Sequence, residues 1–102
     1  MSEYEVSGTV NTDGSWTQHS VVRETHSGGS IDFEPEVKAG SSFCMRLRNA
    51  LNGEIFSDEV CWSTDEYECK TLATDVIAGT RFTIDARGTD EQTRFSGKLF
   101  TA

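Results

Sequence analysis

The feature that most constrains the fold is a recurring alternation of apolar and polar side chains. Successive side chains of a β-strand point to opposite faces of a sheet, so a period of two residues gives one apolar and one wet face. No stretch carries a comparable apolar stripe with helical spacing. The alternating apolar positions are Tyr4, Val6, Gly8 and Val10; Ile31, Phe33 and Val37; Phe43, Met45 and Leu47; Leu72, Val76 and Ala78; Phe82, Ile84 and Ala86; and Phe95 and Leu99.

Glycine-containing pairs separate these segments, and glycine supplies the positive φ that tight turns require. These pairs are Asp13-Gly14, Gly28-Gly29, Ala39-Gly40, Asn52-Gly53, Ala78-Gly79 and Arg87-Gly88. Turn signals at intervals of about ten residues favour antiparallel neighbours. The sequence therefore predicts an all-β fold of about eight strands in a two-layer antiparallel β-sandwich, immunoglobulin-like or Greek-key in type. A small β-barrel is the alternative.

Length and charge limit the number of domains and the partners. The chain has 102 residues, with 17 acidic and 9 basic side chains and a formal net charge of −8. This length is typical of one domain, so we expect residues 1–102 to form a single β-sandwich. The acidic excess repels nucleic-acid phosphates and anionic lipids, and no apolar run is long enough to span a membrane. We therefore expect a soluble protein with neither nucleic-acid nor membrane partners.

The pair Asn52-Gly53 predicts a β-hairpin, because Asn-Gly is favoured in two-residue type I′ turns. A longer loop with a slipped register is the alternative. Counting outward from the two-residue turn predicts four cross-strand pairs: Arg46 with Glu59, Met45 with Val60, Cys44 with Cys61 and Phe43 with Trp62.

Two further features concern strand arrangement. Pro35 cannot donate a ladder hydrogen bond, so its strand is expected at a sheet edge or at a bulge. An exposed edge strand would also allow two copies of the chain to pair as a homodimer.

Segments 37–48 and 76–87 share Val, Ala, Gly, Phe and Arg in step, which indicates either two related Greek-key halves or one turn-to-strand solution used twice.

The three cysteines allow at most one internal disulfide. The hairpin register brings the Cα atoms of Cys44 and Cys61 to about 4.5 Å, within the range that a disulfide accepts. Cys61 with Cys69, across a short loop, is the rival pairing, and three reduced thiols are expected if the protein is cytosolic. His19 and His26 lie far from the cysteines in sequence, and no Cys-x-x-Cys pair exists, so we expect neither a metal nor another cofactor.

Nothing in the sequence matches a catalytic signature, and no catalytic residue is assigned. Neither histidine lies beside a recognisable nucleophile motif, so each is interpreted as a surface or hydrogen-bonded side chain. Whether the chain is an enzyme stays open, and the sequence favours a role without catalysis.

The aromatic residues Trp16, Trp62 and Tyr67 are the candidates for ligand binding, because large rings with one polar edge supply contact area at low entropic cost. Trp62 also shares a predicted face with the core, and a core position is its alternative. Asp65 and Glu66 lie beside Tyr67 in an acidic loop and complete the predicted binding residues. We interpret the carboxylates of this loop as a solvated rim and not as a calcium site.

The favoured function is a small acidic, non-catalytic binding module that recognises a carbohydrate or a protein through loops and surface aromatics. The alternative is an acidic inhibitor or immunity factor that covers a basic active site, and a small hydrolase is the third hypothesis. High serine, threonine and glycine content and a disulfide favour a secreted or extracytoplasmic protein. We therefore expect a secreted or extracytoplasmic protein, and the cytoplasm is the alternative, which the absence of a signal peptide after Met1 favours.

Overall fold

The alternating segments form strands. A computed structural model describes residues 2–10, 14–19, 22–39, 42–63, 65–89 and 92–101, and within them the chain is all β, without a helix. The predicted fold class is therefore confirmed. The nine strands of the described residues are β1 (Ser2–Val10), β2 (Thr17–Gln18), β3 (Arg23–Glu24), β4 (Gly29–Ala39), β5 (Phe43–Asn49), β6 (Val60–Trp62), β7 (Lys70–Val76), β8 (Arg81–Gly88) and β9 (Thr93–Thr101).

The strands form two antiparallel sheets. Sheet one has the order β1-β9-β4-β7, and sheet two has the order β2-β8-β5-β6, with β3 pairing with β8 as well. All strand pairs within the described residues are antiparallel. The two sheets do not close into one barrel, so the β-sandwich prediction is confirmed and the barrel alternative is wrong.

The core lies between the inner faces of the two sheets, where the predicted apolar positions meet. Phe33, Phe43, Phe82 and Phe95 are all buried in one cluster. The ring of Phe43 stacks on Phe95 with 4.7 Å between centroids and on Trp62 with 5.3 Å. Each such side chain contributes about 1.5–3 kcal/mol through removal of apolar surface from water, so this aromatic cluster holds the two sheets together.

The hairpin between β5 and β6 has the predicted register but not the predicted turn. Phe43, Cys44 and Met45 pair with Trp62, Cys61 and Val60 as expected. The turn itself is a longer loop, because the backbone N–H of Asn49 donates to the carbonyl oxygen of Glu54 at 2.7 Å.

Asparagine side chains explain the longer loop. Asn49 Oδ1 accepts from the Leu51 N–H at 2.8 Å, and Asn52 Oδ1 accepts from the Glu54 N–H at 2.9 Å. These bonds stabilise local turns that compete with a type I′ turn, which needs positive φ at both central residues. Gly53 has a φ of 75°, whereas Asn52 is not among the described residues with positive φ.

Beyond the loop, the pairing of β5 with β6 returns to the predicted register because the segment between Ile55 and Val60 contains extra residues. Arg48 forms an isolated bridge with Ile55, two positions out of step with the β5–β6 ladder. The hydroxyl oxygen of Ser57 then accepts from the Leu47 N–H at 2.7 Å, which satisfies that backbone donor. The predicted Arg46–Glu59 ion pair is not formed among the described residues, since Arg46 contacts Asp85 instead.

Pro35 lies in β4, which has neighbours on both sides, and not in an edge strand. A register shift between Pro35 and Val37 marks a bulge, and the pairing of β4 with β7 extends only to Phe33. The missing N–H of Pro35 is tolerated at such an irregularity. The bulge also turns Val37 to solvent, so its predicted position on the apolar face is wrong.

The two similar segments, 37–48 and 76–87, occupy equivalent places in the sandwich. Each runs from sheet one into sheet two, the first from β4 to β5 and the second from β7 to β8. Because β4 pairs with β7 and β5 pairs with β8 in antiparallel ladders, with Gly29 opposite Val76 and Phe43 opposite Gly88, the two crossings lie at opposite ends of the sandwich. The resemblance therefore corresponds to one sheet-crossing connection used twice.

Candidate binding surfaces

Trp62, one of the predicted binding residues, is a core residue. It is fully buried, and its ring stacks on Phe43. Its indole Nε1–H donates to the carbonyl oxygen of Glu68 at 2.8 Å, which fixes the loop that follows β6 against the core. A buried indole offers no face to a ligand, so its assignment to a binding site is corrected in favour of the core alternative.

Tyr67 lies in that loop and is 45% exposed. The Nζ atom of Lys38 is 4.6 Å from the centroid of its ring and donates to the carbonyl oxygen of Ser63. Burial lowers the pKa of Lys38, and the carboxylates of Glu66 and Asp65 oppose that shift. The loop thus offers one aromatic ring that is already in contact with a cation.

The acidic residues beside Tyr67 differ in their surroundings. Asp65 is exposed, whereas Glu66 accepts hydrogen bonds from Lys70 Nζ at 2.9 Å and from the Ser63 N–H at 3.2 Å. These two donors hold the pKa of Glu66 at about 2. Lys70 Nζ also donates to the carbonyl oxygen of Cys61 at 2.8 Å. Glu66 is therefore mainly a structural anchor of the loop.

Trp16 lies apart from this loop, among arginines. The guanidinium carbon of Arg46 is 4.1 Å from the centroid of the Trp16 ring, and that of Arg87 is 5.3 Å away. Trp16 itself is half-buried. Cation–π contacts of this length are attractive, so the indole and the two guanidinium groups hold one another in place.

The arginines lie close together because β5 and β8 are neighbouring strands. In each strand, successive side chains alternate between the core and the outer face of sheet two. Arg46 pairs with Asp85, and Arg48 pairs with Thr83, all on the outer face of sheet two. Asp85 Oδ2 accepts from Arg48 at 2.9 and 3.1 Å, and the Arg46 Nε lies 3.5 Å away. The Asp85 side chain is only 4% exposed, so it is a buried counterion that orients two guanidinium groups.

We call this region the arginine surface and define it by Trp16, Arg46, Arg48, Asp85 and Arg87. Glu59 lies at its border, where Arg87 Nε donates to Glu59 Oε1 at 2.9 Å. Three guanidinium groups and two carboxylates leave a local charge of about +1 in a chain of net charge −8.

Within the described residues, Arg46 is the arginine of this surface whose two terminal nitrogens both lack a hydrogen bond. A guanidinium group carries its donors in a planar fork that matches a carboxylate or a sulfate. The arginine surface can therefore accept an anionic group beside an aromatic ring.

The predicted Cys44–Cys61 disulfide is confirmed, with an S–S distance of 2.01 Å. Cys69 is a free, exposed thiol, so the Cys61–Cys69 pairing and the fully reduced alternative are wrong. Burial raises the pKa of Cys69, and Asp32 and Glu34 raise it further. Glu59 lies near both disulfide sulfurs, but disulfide sulfurs are not thiolates and this group makes no metal site.

His19 packs at the side of the sandwich. Its ring lies 5.5 Å from that of Phe95, and its Nε2 is 2.6 Å from the hydroxyl oxygen of Thr17. Burial lowers the pKa of His19, and Asp85 opposes this shift. Within the described part of the chain, no carboxylate hydrogen-bonds to the imidazole, so the third member of a catalytic triad is missing there.

The outer face of sheet one has the opposite charge. Glu5 and Glu34 flank Lys98 in neighbouring strands. Lys98 Nζ lies 3.1 Å from Glu3 Oε1, and Glu3, Glu36 and Glu5 raise the pKa of Lys98. We call this region the acidic face and define it by Glu3, Glu5, Asp32, Glu34 and Lys98. The sequence predicts acidic binding residues in the loop at Asp65 and Glu66 and not on this face.

Comparisons with known proteins found no match for this chain among protein-family models, curated proteins or solved structures. Within the described ranges, no helix has the length and apolar character needed to cross a lipid bilayer.

Proposed function

We propose that this chain is a non-catalytic binding module whose ligand is an acidic carbohydrate bound at the arginine surface. The observation that carries the proposal is the contact of the Trp16 ring with the Arg46 guanidinium at 4.1 Å. Because the guanidinium groups of Arg46 and Arg87 lie over the Trp16 ring, a sugar contacts the edge of the indole, while its carboxylate or sulfate group accepts hydrogen bonds from a guanidinium fork. One site thereby offers both interactions.

The site is already organised before a ligand arrives. Asp85 holds Arg46 and Arg48, Glu59 holds Arg87, and Trp16 packs against Arg46 and Arg87. Preorganised side chains lose less conformational entropy on binding, which favours affinity. The net charge of −8 repels anions at long range, so recognition depends on the short-range hydrogen bonds at Arg46.

The test is isothermal titration calorimetry with a galacturonate oligosaccharide, a chondroitin sulfate oligosaccharide and a neutral cello-oligosaccharide. We expect binding of an acidic oligosaccharide and not of the neutral one. Arg46→Gln lowers the affinity about tenfold or more, because a hydrogen bond to a charged group contributes about 1.5–3 kcal/mol.

Arg94→Gln is the matched control, since Arg94 is exposed in β9 and its substitution removes the same charge. The control variant is expected to bind within about twofold of the parent, because it makes no short-range contact with the ligand. Equal losses for the two variants would indicate a general charge effect and contradict this site. Equal affinity for acidic and neutral oligosaccharides would contradict the proposed ligand class.

A second candidate function is an acidic protein that covers a basic active site, and the acidic face is the observation that favours it. Glu3, Glu5, Asp32 and Glu34 lie in neighbouring strands of one sheet around Lys98. Such a face accelerates association with a basic partner, and high salt weakens this effect. A panel of basic nucleases and proteases assayed with and without the chain tests it, with Glu5→Gln as the variant.

We also propose that this binding module acts outside the cytoplasm. The Cys44–Cys61 disulfide supports an extracytoplasmic location, because disulfides persist in oxidising compartments. Fractionation of the native host followed by thiol labelling of the chain tests this location. Recovery of the chain with both sulfurs reduced in the cytosol would contradict it.

A further inference from the structure

A groove runs along the open side of the sandwich, between β7 and the segment 55–58. Its volume is about 580 Å³, and its two walls are residues 55–58 and residues 71–74. A second cavity of about 270 Å³ shares Phe56, Ala73 and Thr74 with it and extends to Ile77. The two cavities are neighbours that share these three wall residues, and neither has a residue in common with the arginine surface.

One wall of this groove is the free edge of a sheet. In the described part of the chain, β7 pairs only with β4, so its other edge presents unpaired backbone donors and acceptors. An extended peptide that pairs with such an edge satisfies these groups and gains affinity from main-chain hydrogen bonds.

The edge is suited to a short segment and not to a second copy of β7. Register shifts interrupt its pairing with β4, and Asp75 has a φ of 55°, which is unusual for a residue with a side chain. Bulges bend and twist an edge, which hinders pairing between two long strands. The regular part of this ladder is confined to Lys70 and Thr71 at the beginning of β7, because one register shift lies between Thr71 and Ala73.

The remaining groups in the groove define the chemistry of the occupant. Ile55 and Ile77 line it as exposed apolar side chains, and Phe56 is half-buried within it. Asp58 and Asp75 are the charged lining residues of the two cavities, which contain no lysine or arginine. The groove thus combines apolar contact with negative charge.

We propose that this groove binds an extended segment of a protein partner, which adds a short strand to β7 and carries alternating apolar and basic side chains. The apolar side chains contact Phe56 and Ile77, and the basic side chains face Asp58 and Asp75. This interaction is separate from carbohydrate binding, so either proposal can fail while the other stands.

The probe is a capped eight-residue peptide of alternating valine and lysine, titrated into the isotope-labelled chain and followed by amide chemical shifts. We expect shifts and slower hydrogen exchange at Thr71–Thr74. A valine–glutamate peptide is expected to bind at least about tenfold more weakly, because like charges meet at the rim. N-methylation of alternate peptide residues is expected to abolish binding, since it removes the backbone donors of one peptide edge.

Two substitutions test the protein side. Asp58→Asn is expected to weaken binding about threefold to tenfold, whereas Asp65→Asn, an exposed acid outside the groove, leaves it unchanged. Ile77→Ser weakens binding, and Val22→Ser, at another exposed apolar position, does not.

Three results would overturn the proposal: no shift at Thr71–Thr74 at millimolar peptide, undiminished binding of the N-methylated peptide, or equal effects of Asp58→Asn and Asp65→Asn. A concentration-dependent dimer with protected amides at Thr71–Thr74 would also overturn it, because the occupant would then be a second copy of the chain.

Discussion

At the scale of single residues, Thr101 has a hydroxyl without a hydrogen-bond partner. The residue is 1% exposed, and its Oγ1 contacts no donor or acceptor within the described chain. A buried, unsatisfied polar group costs about 1–3 kcal/mol. Thr101→Val replaces the hydroxyl by a methyl group of similar size, so we expect the free energy of unfolding to increase by about 1 kcal/mol.

Urea denaturation of Thr101→Val measures this gain, and Thr9→Val, at an exposed position of β1, is the control. A substitution at an exposed strand position changes stability by less than about 0.5 kcal/mol. A Thr101→Val variant less stable than the parent would show that the hydroxyl is satisfied in solution.

The lowered pKa of Glu66 predicts how the free energy of unfolding depends on pH. Its donors, Lys70 and the Ser63 N–H, hold its pKa in the folded chain at about 2, below the ordinary value of 4.5. The ionised form is therefore the one that the fold stabilises. This contribution is fully present above pH 4.5 and is lost as the pH falls towards 2.

We expect Glu66→Gln to make the decline in stability between pH 4.5 and 2 shallower than in the parent. Lys70→Gln is expected to have the same effect, because it removes the main cause of the shift. Denaturation curves at a series of pH values measure both slopes, and an unchanged slope in both variants would contradict this account.

At the scale of strands, Gly97 allows β9 to lie close to β4 at the Pro35 bulge. A Cβ atom at this position would lie 2.3 Å from the carbonyl oxygen of Glu34 and 2.8 Å from the Cα of Pro35. Backbone atoms cannot move away without disturbing the strand pairing. Gly97→Ala is therefore expected to destabilise the chain by about 3 kcal/mol or more.

Gly53→Ala is the matched control for this strand contact. Gly53 has a φ of 75°, but a Cβ there would meet no atom within 4 Å. The substitution costs only about 1 kcal/mol, for the positive φ. Thermal denaturation compares the two variants, and equal losses would contradict the close approach of β4 and β9.

The length of chain between the two cysteines of β5 and β6 predicts how much stability the fold loses without the disulfide. Cys44 and Cys61 are separated by 17 residues, and a cross-link over such a loop stabilises a fold by about 3 kcal/mol. The double substitution to alanine is expected to lower stability by that amount, whereas Cys69→Ala has little effect. Thiol titration of the denatured, unreduced chain should find one free thiol, and three would contradict the disulfide.

At the scale of the whole molecule, the two outer faces carry opposite charge, and the acidic one dominates a net charge of −8. Self-repulsion of like charges destabilises a compact chain, and salt screens it. We expect the melting temperature to rise by several degrees between about 20 mM and 500 mM sodium chloride. Calorimetry at increasing salt measures this trend, and a falling melting temperature would mean that favourable ion pairs outweigh the repulsion.

The sequence predicts features that depend on neighbouring residues and misses those that depend on distant strands. Alternation is local, so the sandwich and the phenylalanine core could be inferred, whereas the hairpin register allowed the Cys44–Cys61 pair and left Cys61–Cys69 open beside it. The arginine surface could not, because Arg46 and Asp85 become neighbours only when β5 pairs with β8. The recurrence of arginine in segments 37–48 and 76–87 was the available signal.

Competing local interactions account for the other errors. The turn at Asn52-Gly53 lengthened because asparagine side chains bonded to the backbone. The turn predicted at Arg87-Gly88 does not exist, since Gly88 continues β8 opposite Phe43. The predicted turns at Asp13-Gly14 and Ala39-Gly40 each include a residue outside the described ranges, Asp13 in the first and Gly40 in the second.

The pairing of β1 has a consequence for how this domain is made. Its strand partner in the described chain is β9, so the first of the nine described strands to be translated pairs with the last of them. Until β9 has been translated, β1, with its apolar side chains Val6 and Val10, has no strand to pair with. Sheet one therefore cannot assemble, because β9 lies between β1 and β4. Such distant pairings slow folding and prolong the exposure of apolar strands. Nascent chains of this domain are therefore expected to need protection from aggregation until synthesis has passed Thr101.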